Sequence, residues 1–152
     1  YQTLLFSKYE YSPLLPVFDE VASSIPPQLA SLTDDDTVLV VAGVANPKPF
    51  VKHIRSSKAK IKIKIFPDHH HFTSADMTAL LKKFQAMSGK NKYIITTEKD
   101  AMRLMNCPYF PQQLKAHTYY QPIRVKFVPT HGENKPLEAV IKDVIAQKTK
   151  VI

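Results

Sequence analysis

The sequence predicts an α/β fold whose mostly parallel sheet is flanked by helices, in three layers. Segments typical of strands alternate with segments typical of helices from Thr37 to Met105. The first of these strands, TVLVVAG (Thr37–Gly43), is apolar on both faces, as the central strands of parallel sheets are. The chain contains only three glycines and no phosphate-cradling glycine motif, so we expect a Rossmann-like lobe that lacks a P-loop.

The part of the chain before this strand is predicted to contain two short elements and a linker. Thr3–Tyr11 is rich in aromatic and apolar residues and is expected to be extended, whereas Leu14–Ala22 is expected to form a short helix. Ser23–Asp36 contains two adjacent prolines and three aspartates, a composition typical of a linker. We therefore predict a boundary between residues 1–36 and an α/β lobe over residues 37–152.

Helices and strands then alternate along the lobe. In chain order we predict a helix capped at Asn46, an edge strand Lys58–Phe66, a helix capped at Thr73 or Ser74 and ended by Gly89, a strand Lys92–Thr97, a short helix Glu98–Met105, an extended segment His117–Val128 and an amphipathic helix Pro136–Lys148. In the edge strand lysine alternates with isoleucine, so Ile61, Ile63 and Ile65 are predicted to face one way, toward the core.

Composition excludes several classes of protein. A hydrophobic content of 44% argues against disorder, and no apolar run approaches the roughly 20 residues of a membrane span. Cys107 is the only cysteine, which excludes a disulfide within the chain and a cysteine-based zinc site and favours a reducing compartment. The chain begins with Tyr1 rather than Met, so we expect further residues upstream.

Positive charge is concentrated in one segment of a chain whose net charge is +8. Seven basic residues and no acid lie between Lys48 and Lys64. Such a concentration attracts phosphate groups, whether in a nucleotide, an anionic lipid surface or a nucleic acid. A solvated surface without a partner is the alternative interpretation.

Three polar stretches follow the three predicted central strands: GVANP (Gly43–Pro47), PDHHHF (Pro67–Phe72) and TTEKD (Thr96–Asp100). Because the carboxyl ends of parallel strands lie at one edge of a sheet, where ligands bind in such folds, we predict a shared site there. Its candidate residues are Asn46, Asp68, His69, His70, Glu98, Lys99 and Asp100.

The three adjacent histidines allow three interpretations: a metal site, a proton-handling site or a solvated turn. Adjacent imidazoles do not easily reach one ion, but His69 and His71 could do so with Asp68. A carboxylate next to an imidazole fixes its tautomer, so Asp68 and His69 could act as a general base on a hydroxyl. Equally, Asp68 could cap the next helix, and Glu98 and Asp100 are acids that suit a first helical turn.

Taken in order, AGVANP, FPDHHHF, TTEKD and YYQPIRVKF resemble the C-terminal half of the tetraacyldisaccharide 4'-kinase family of lipid A biosynthesis. That family usually reads Ala-Gly-Ile-Gly-Asn-Pro, Phe-Pro-Asp-His-His-x-Phe/Tyr and Thr-Glu-Lys-Asp at similar spacings. The resemblance extends from Tyr1 to Phe127. It departs at Ala45, where the family has glycine, and His71 fills a variable position.

The resemblance implies an ATP-dependent kinase, a transferase that moves the γ-phosphoryl of ATP to the 4'-hydroxyl of tetraacyldisaccharide 1-phosphate, a lipid A precursor. It implies that ATP and Mg²⁺ are bound mainly by an N-terminal half that this chain lacks, so the chain alone is expected to be inactive. Residues 1–36 then form an inter-lobe segment and linker, and 37–152 the C-terminal lobe. A peripheral location on the membrane surface, at the cytoplasmic face of a Gram-negative inner membrane, is also implied.

Roles for individual residues follow from the same resemblance. The catalytic histidine falls at His69, beside Asp68, and supports a carboxylate base from the missing half; His70 is the alternative. Residues that match family positions and are expected to bind substrate or nucleotide are Asn46, Glu98, Lys99 and Asp100. The resemblance implies neither a metal ligand in this chain nor a nucleic-acid partner. The alternative hypotheses are a basic nucleic-acid-binding module and a metal-dependent hydrolase built on Asp68, His69 and His71.

Overall fold

The structure, a computed structural model, describes residues 6–21 and 25–128 and two further positions, Ala139 and Lys142. The predicted amphipathic helix Pro136–Lys148 lies outside the described residues except at those two positions, which are both helical. No helix in the described ranges is both long enough and apolar enough to cross a membrane.

Two compact units make up the chain. The larger is formed by Ser12–Pro122, and the smaller by Tyr1–Tyr11 together with Ile123–Ile152. Residues 12–36 therefore share a compact unit with the strands that follow them. The boundary predicted after residue 36 concerns the lobes of a longer protein and stays a prediction.

Regular elements account for most of the described residues. In chain order they are β1 (Phe6–Tyr11), β2 (Leu15–Pro16), β3 (Thr37–Ala42), α1 (Lys48–Ile54), β4 (Lys60–Ile65), α2 (Ser74–Gln85), β5 (Lys92–Thr97), α3 (Glu98–Met105), α4 (Gln112–Lys115), β6 (Thr118–Gln121) and β7 (Ile123–Val128). Short 3-10 turns occur at Asp19–Val21 and Leu29–Ser31.

In the smaller unit, β1 and β7 form an antiparallel ribbon in which Phe6 is opposite Val128 and Tyr11 is opposite Ile123. Extended structure was predicted for both segments, and the structure confirms it over the described residues. Sequence periodicity did not reveal that His117–Val128 divides at Pro122, with β6 in one unit and β7 in the other.

In the larger unit, the described strands form a sheet in the order β2-β6-β5-β3-β4. β3 runs parallel to β4 and β5, and β5 runs parallel to β6, while β2 is antiparallel to β6. These pairings confirm the predicted α/β fold with a mostly parallel sheet. The alternating lysine–isoleucine strand, β4, lies at an edge as predicted.

Apolar residues cover both faces of this sheet. Every residue of β3 is buried, because its successive side chains enter two different cores. Val38 and Val40 pack with Phe50 and Ile54 of α1. On the other face, the core is built around Leu39 and Val41 of β3, Met77, Leu80 and Phe84 of α2, and Ala101 and Leu104 of α3. The three predicted layers are therefore present, and α2 buries the apolar face that its spacing predicted.

Four local predictions were wrong. The N-cap of α1 is Pro47 rather than Asn46, and α2 ends at Gln85, with Ala86 as its C-cap, rather than at Gly89. Leu14–Ala22 forms no α-helix over its described residues, because Pro16 interrupts the segment and Val17 N donates to Thr118 O at 3.0 Å, pairing it with β6. Ile65 is 42% exposed although its alternation with lysine predicted a core position. It is the last residue of an edge strand, and Phe66 takes the buried position instead.

Candidate active site

The turns after β3, β4 and β5 lie at one edge of the sheet, because these strands are parallel neighbours. Two hydrogen bonds join the turns directly. Gly43 N donates to Asp100 Oδ2 at 2.8 Å, across 57 residues of sequence. Lys99 Nζ donates to Asp68 Oδ1 at 3.1 Å, across 31 residues. The three turns therefore meet at the predicted edge of the sheet.

Asp68 and His69 lie together in the turn after β4, where Asp68 is partly exposed and His69 is exposed. The backbone of His69 is left-handed, with a φ of 59°, and its amide donates to Asp68 Oδ1 at 3.0 Å. Nε2 of His69 lies 3.3 Å from Asp68 Oδ2, and the His69 side chain is 82% exposed. The hydrogen bond from Lys99, together with the neighbouring His69, lowers the pKa of Asp68 below its ordinary value. Asp68 is therefore a carboxylate at neutral pH, next to an accessible imidazole.

His70 is held differently from His69. Its Nε2 lies 2.7 Å from Asp76 Oδ2, and its ring stacks on Phe66 at 5.0 Å between ring centres. The pKa of Asp76 is lowered to about 2, chiefly by the hydrogen bond from the Thr73 amide and also by that from His70. His70 therefore anchors the turn to α2, whereas the ring of His69 faces solvent.

Asp100 is fully buried although it is charged. Thr97 Oγ1 donates to Asp100 Oδ2 at 2.7 Å and accepts from Asp100 N at 3.1 Å, which caps α3. Arg103 Nη1 donates to Asp100 Oδ1 at 3.3 Å. A Cβ on Gly43 would lie 3.1 Å from Asp100 Oδ1, so this approach of the β3 turn suits glycine.

The remaining candidate residues are less tightly held. Asn46 is exposed, and its Oδ1 accepts from Lys48 N at 3.3 Å, at the start of α1. Glu98 is exposed in the first turn of α3. Among the residues that the structure describes, neither hydrogen-bonds to another predicted site residue. The edge thus brings Asp68, His69, Lys99 and Asp100 together and leaves Asn46 and Glu98 beside them.

The residues present do not fit a magnesium site of their own. Asp68 accepts from Lys99, and Asp100 accepts from Gly43, Thr97 and Arg103, so these two carboxylates are already engaged by donors, which leaves Glu98 as the remaining predicted acid of this edge. Within the described ranges, no three His, Cys, Asp or Glu side chains are placed to hold a metal ion together.

A cavity of about 660 Å³ beside Phe84 and His117 lies at the opposite, amino-terminal end of β5.

The family model described as tetraacyldisaccharide-1-P 4'-kinase matches residues 16–146. The chain belongs to this family. It is similar to the tetraacyldisaccharide 4'-kinase of Bacteroides thetaiotaomicron, with 36% identity over 135 residues, covering 84% of this chain and 35% of that protein. The Parabacteroides distasonis kinase is 36% identical over 144 residues, covering 95% and 38%. The Porphyromonas gingivalis W83 kinase is 35% identical over 132 residues, covering 84% and 35%. No solved structure matches the chain.

Membership of the tetraacyldisaccharide 4'-kinase family confirms the resemblance found in the three polar turns. The chain spans little more than a third of the length of the relatives given above. The matched range contains every predicted site residue. Neither the nucleic-acid-binding hypothesis nor the metal-dependent hydrolase hypothesis is favoured by this result.

Sequence reasoning missed one residue of this kinase-family edge, Arg103. Its guanidinium contacts Asp100 and lies 5.2 Å from the centre of the Phe72 ring. The available signal was its spacing, because residues three apart on a helix face the same side and acid–base pairs form at that distance. Arg103 lies one helical turn beyond TTEKD, outside the polar stretch itself.

Proposed function

We propose that the whole protein to which this chain belongs is an ATP-dependent kinase of lipid A biosynthesis. It transfers the γ-phosphoryl of ATP to the 4'-hydroxyl of tetraacyldisaccharide 1-phosphate. The observation that carries this proposal is the family match over residues 16–146, which includes all three turns of the candidate site. The rest of the protein binds ATP and Mg²⁺, and this chain alone is inactive because it contains no phosphate-cradling loop.

In this proposal His69 and Asp68 support the carboxylate base, supplied by the rest of the protein, that receives the proton of the acceptor hydroxyl. Phosphoryl transfer depends on positioning and charge, and it requires a group that receives the hydroxyl proton. Asp68 is held as a carboxylate by Lys99 and lies next to the His69 imidazole, where it can orient the ring. His69 then supports a carboxylate base supplied by the rest of the protein. His70 is the weaker candidate because its Nε2 is already bound to Asp76.

The other residues of the edge surround this pair. Asn46 and Glu98 are exposed polar side chains at strand exits, and we assign them to binding of substrate or nucleotide. Lys99 is half-exposed and is proposed both to hold Asp68 and to face the anionic groups of the reactants. Because Asp100 is fully buried, we assign it to holding the turn after β3 against the start of α3.

We also propose that the protein lies at the cytoplasmic face of the inner membrane, bound peripherally through what we call the basic surface. This surface consists of Lys48, Lys52, Arg55, Lys58, Lys60, Lys62 and Lys64. It extends along α1 and the edge strand β4, and all its members except Lys64 are exposed. None of the seven forms an ion pair with a residue that the structure describes. Their charge is therefore available to anionic lipid head groups.

The kinase proposal is tested with the full-length protein, radiolabelled ATP, Mg²⁺ and tetraacyldisaccharide 1-phosphate in detergent. We expect phosphate to be transferred to the 4' position. His69→Ala should lower kcat about 100-fold or more, because a positioned proton-transfer group contributes at least that much. Its fold should be unaffected, since the side chain is exposed.

His71→Ala is the matched control, because His71 is an exposed histidine of the same turn. It should retain the wild-type kcat. A full-length protein that transfers no phosphate to this acceptor would contradict the proposed function. Unchanged turnover in His69→Ala would contradict only the role of His69.

A further inference from the structure

We propose that Arg103 is a positioning residue of the site, an inference that rests on the proposed kinase function. Arg103 connects the buried carboxylate of Asp100 to the ring of Phe72 and thereby fixes the turn that carries Asp68 and His69. It acts through these neighbours and touches no reactant itself. Neither the predicted site residues nor the family motifs quoted above include it.

The side chain of Asp100 is fully buried. A carboxylate is tolerated in a protein interior when it is paired and hydrogen-bonded. Gly43 N and Thr97 Oγ1 both donate to Oδ2 of Asp100, and Arg103 supplies the positive charge at Oδ1. Asp100 therefore joins the turn after β3 to the start of α3, and Arg103 is the cation that compensates its burial.

The guanidinium of Arg103 also lies close to the ring of Phe72. Its central carbon lies 5.2 Å from the centre of the Phe72 ring, within the range of a cation–π interaction. Phe72 in turn packs edge-on against Phe66 at 5.2 Å. In the sequence, Phe66 and Phe72 flank the five residues that include Asp68 and His69. Arg103 thus contacts one of the two aromatic side chains that bracket the Asp-His turn.

Together, the two contacts connect Arg103 to all three turns. Through Asp100, Arg103 is tied to the turns after β3 and β5, and through Phe72 it is tied to the turn after β4. The Arg103 side chain is only 24% exposed, so most of its surface is used by these neighbours. Removing the guanidinium should loosen the placement of His69 relative to the other turns. A small misplacement of a catalytic group is costly to the rate.

The chain offers a closely matched control in Lys115. Its side chain is also 24% exposed, it pairs with a carboxylate, Glu20, at 3.5 Å, and it lies 5.0 Å from the centre of the Phe18 ring. Lys115 ends α4, just before β6, and therefore lies near the amino-terminal end of the parallel strands. Like Arg103 it contacts a carboxylate and an aromatic ring, away from the three turns, although Glu20 is 66% exposed whereas Asp100 is fully buried.

The experiment compares Arg103→Gln, Arg103→Lys, Phe72→Leu and Lys115→Gln in the full-length protein. We measure the melting temperature, kcat, and KM for ATP and for tetraacyldisaccharide 1-phosphate. Arg103→Gln should lower kcat about 10-fold or more with KM for ATP within about twofold of wild type. Arg103→Lys should recover part of this loss, because it restores the charge beside Asp100. Lys115→Gln should keep the wild-type kcat.

Phe72→Leu keeps Arg103 and Asp100 paired and removes only the ring, so it tests the proposal even if Arg103→Gln does not fold. It should also lower kcat. Wild-type kcat in folded Arg103→Gln or in Phe72→Leu would overturn the positioning role and leave the kinase function intact. An equal loss in Lys115→Gln would also overturn it, because the effect would then be general destabilisation. A wild-type protein without transferase activity would overturn the proposed function and this inference together.

Discussion

Thr96 and Thr118 are two fully buried threonines in strands of the same sheet, and they differ in one hydrogen bond. Thr118 Oγ1 donates to Leu114 O at 2.7 Å. Thr96 Oγ1 has no hydrogen-bond partner among the residues that the structure describes. A buried hydroxyl without a partner carries a desolvation cost that a bonded hydroxyl offsets. Comparing substitutions at the two threonines therefore separates the effect of the hydrogen bond on stability from the effect of burial.

Thr96→Val should leave the free energy of unfolding of the chain unchanged or raise it by up to about 1 kcal/mol. Thr118→Val should lower it by about 1 kcal/mol, because a made hydrogen bond is lost. Urea unfolding of both variants, followed by circular dichroism, measures the difference. Equal destabilisation by the two substitutions would show that the Thr96 hydroxyl does have a partner.

At the scale of elements, α2 begins with a capping box. Thr73 Oγ1 accepts from Asp76 N at 3.2 Å, and Asp76 Oδ2 accepts from Thr73 N at 2.9 Å. The same carboxylate oxygen also contacts His70 Nε2, so the helix start and the Asp-His turn share one acceptor. This arrangement links the stability of α2 to the protonation of Asp76.

The pKa of Asp76 is about 2 in the folded chain, against an ordinary value of 3.8. Since the folded value is the lower one, the stabilisation is complete above about pH 4 and is lost as the pH falls toward 2. Asp76→Asn should therefore lower the free energy of unfolding at pH 7 by about 1 kcal/mol and make it less dependent on pH between 4 and 2. Chemical unfolding at several pH values measures both effects.

Asp34→Asn is a suitable control, because Asp34 is an exposed aspartate outside the capping box. It should retain the pH dependence of the wild type. Some dependence will remain in Asp76→Asn, because the pKa values of Asp36 and Asp68 are also lowered. Parallel stability curves for wild type and Asp76→Asn would contradict the role assigned to Asp76.

The sequence predicted those helices and strands whose conformation is determined by their own residues. β3 is apolar at every position, α2 carries its cap and its apolar spacing, and α3 follows the acids of TTEKD, so all three were placed correctly. Leu14–Ala22 was misassigned because its conformation depends on β6, about 100 residues later in the chain. Periodicity within a segment carries no information about such a partner.

The sequence predicted where the candidate site lies, but it predicted only some of the roles of its residues. Parallel strands imply that their following turns meet, and the contacts from Gly43 to Asp100 and from Lys99 to Asp68 confirm this. The sequence shows Asp100 simply as an acid in a first helical turn. Its burial depends on Gly43 and Arg103, and the left-handed backbone of His69 depends on the turn around it, so neither was visible in the residue pattern.

At the scale of the whole molecule, charge is unevenly distributed. The net charge is +8, and the basic surface contributes seven of the 21 lysines and arginines without an intervening acid. Each lysine near an anionic membrane contributes about 1 kcal/mol of attraction, and the attraction weakens with salt. A membrane role for this surface therefore predicts that membrane binding depends on which lysines are replaced and on the salt concentration.

Replacing Lys60, Lys62 and Lys64 with glutamine should weaken binding of the full-length protein to vesicles containing phosphatidylglycerol about 100-fold. Binding of the wild type should also fall steeply between low and high salt. The control replaces Lys8, Lys90 and Lys126, which are exposed and change the net charge equally. Sedimentation with vesicles measures the affinities. Equal weakening by both triple variants would show that total charge, rather than the basic surface, governs binding.

One consequence follows from the way the chain enters and leaves its larger unit. Ser12 N donates to Pro122 O at 3.1 Å, so the first and last residues of that unit are direct neighbours. A segment with adjoining ends can be grafted into a surface loop of a carrier protein, or joined head to tail and reopened elsewhere, without stretching its backbone.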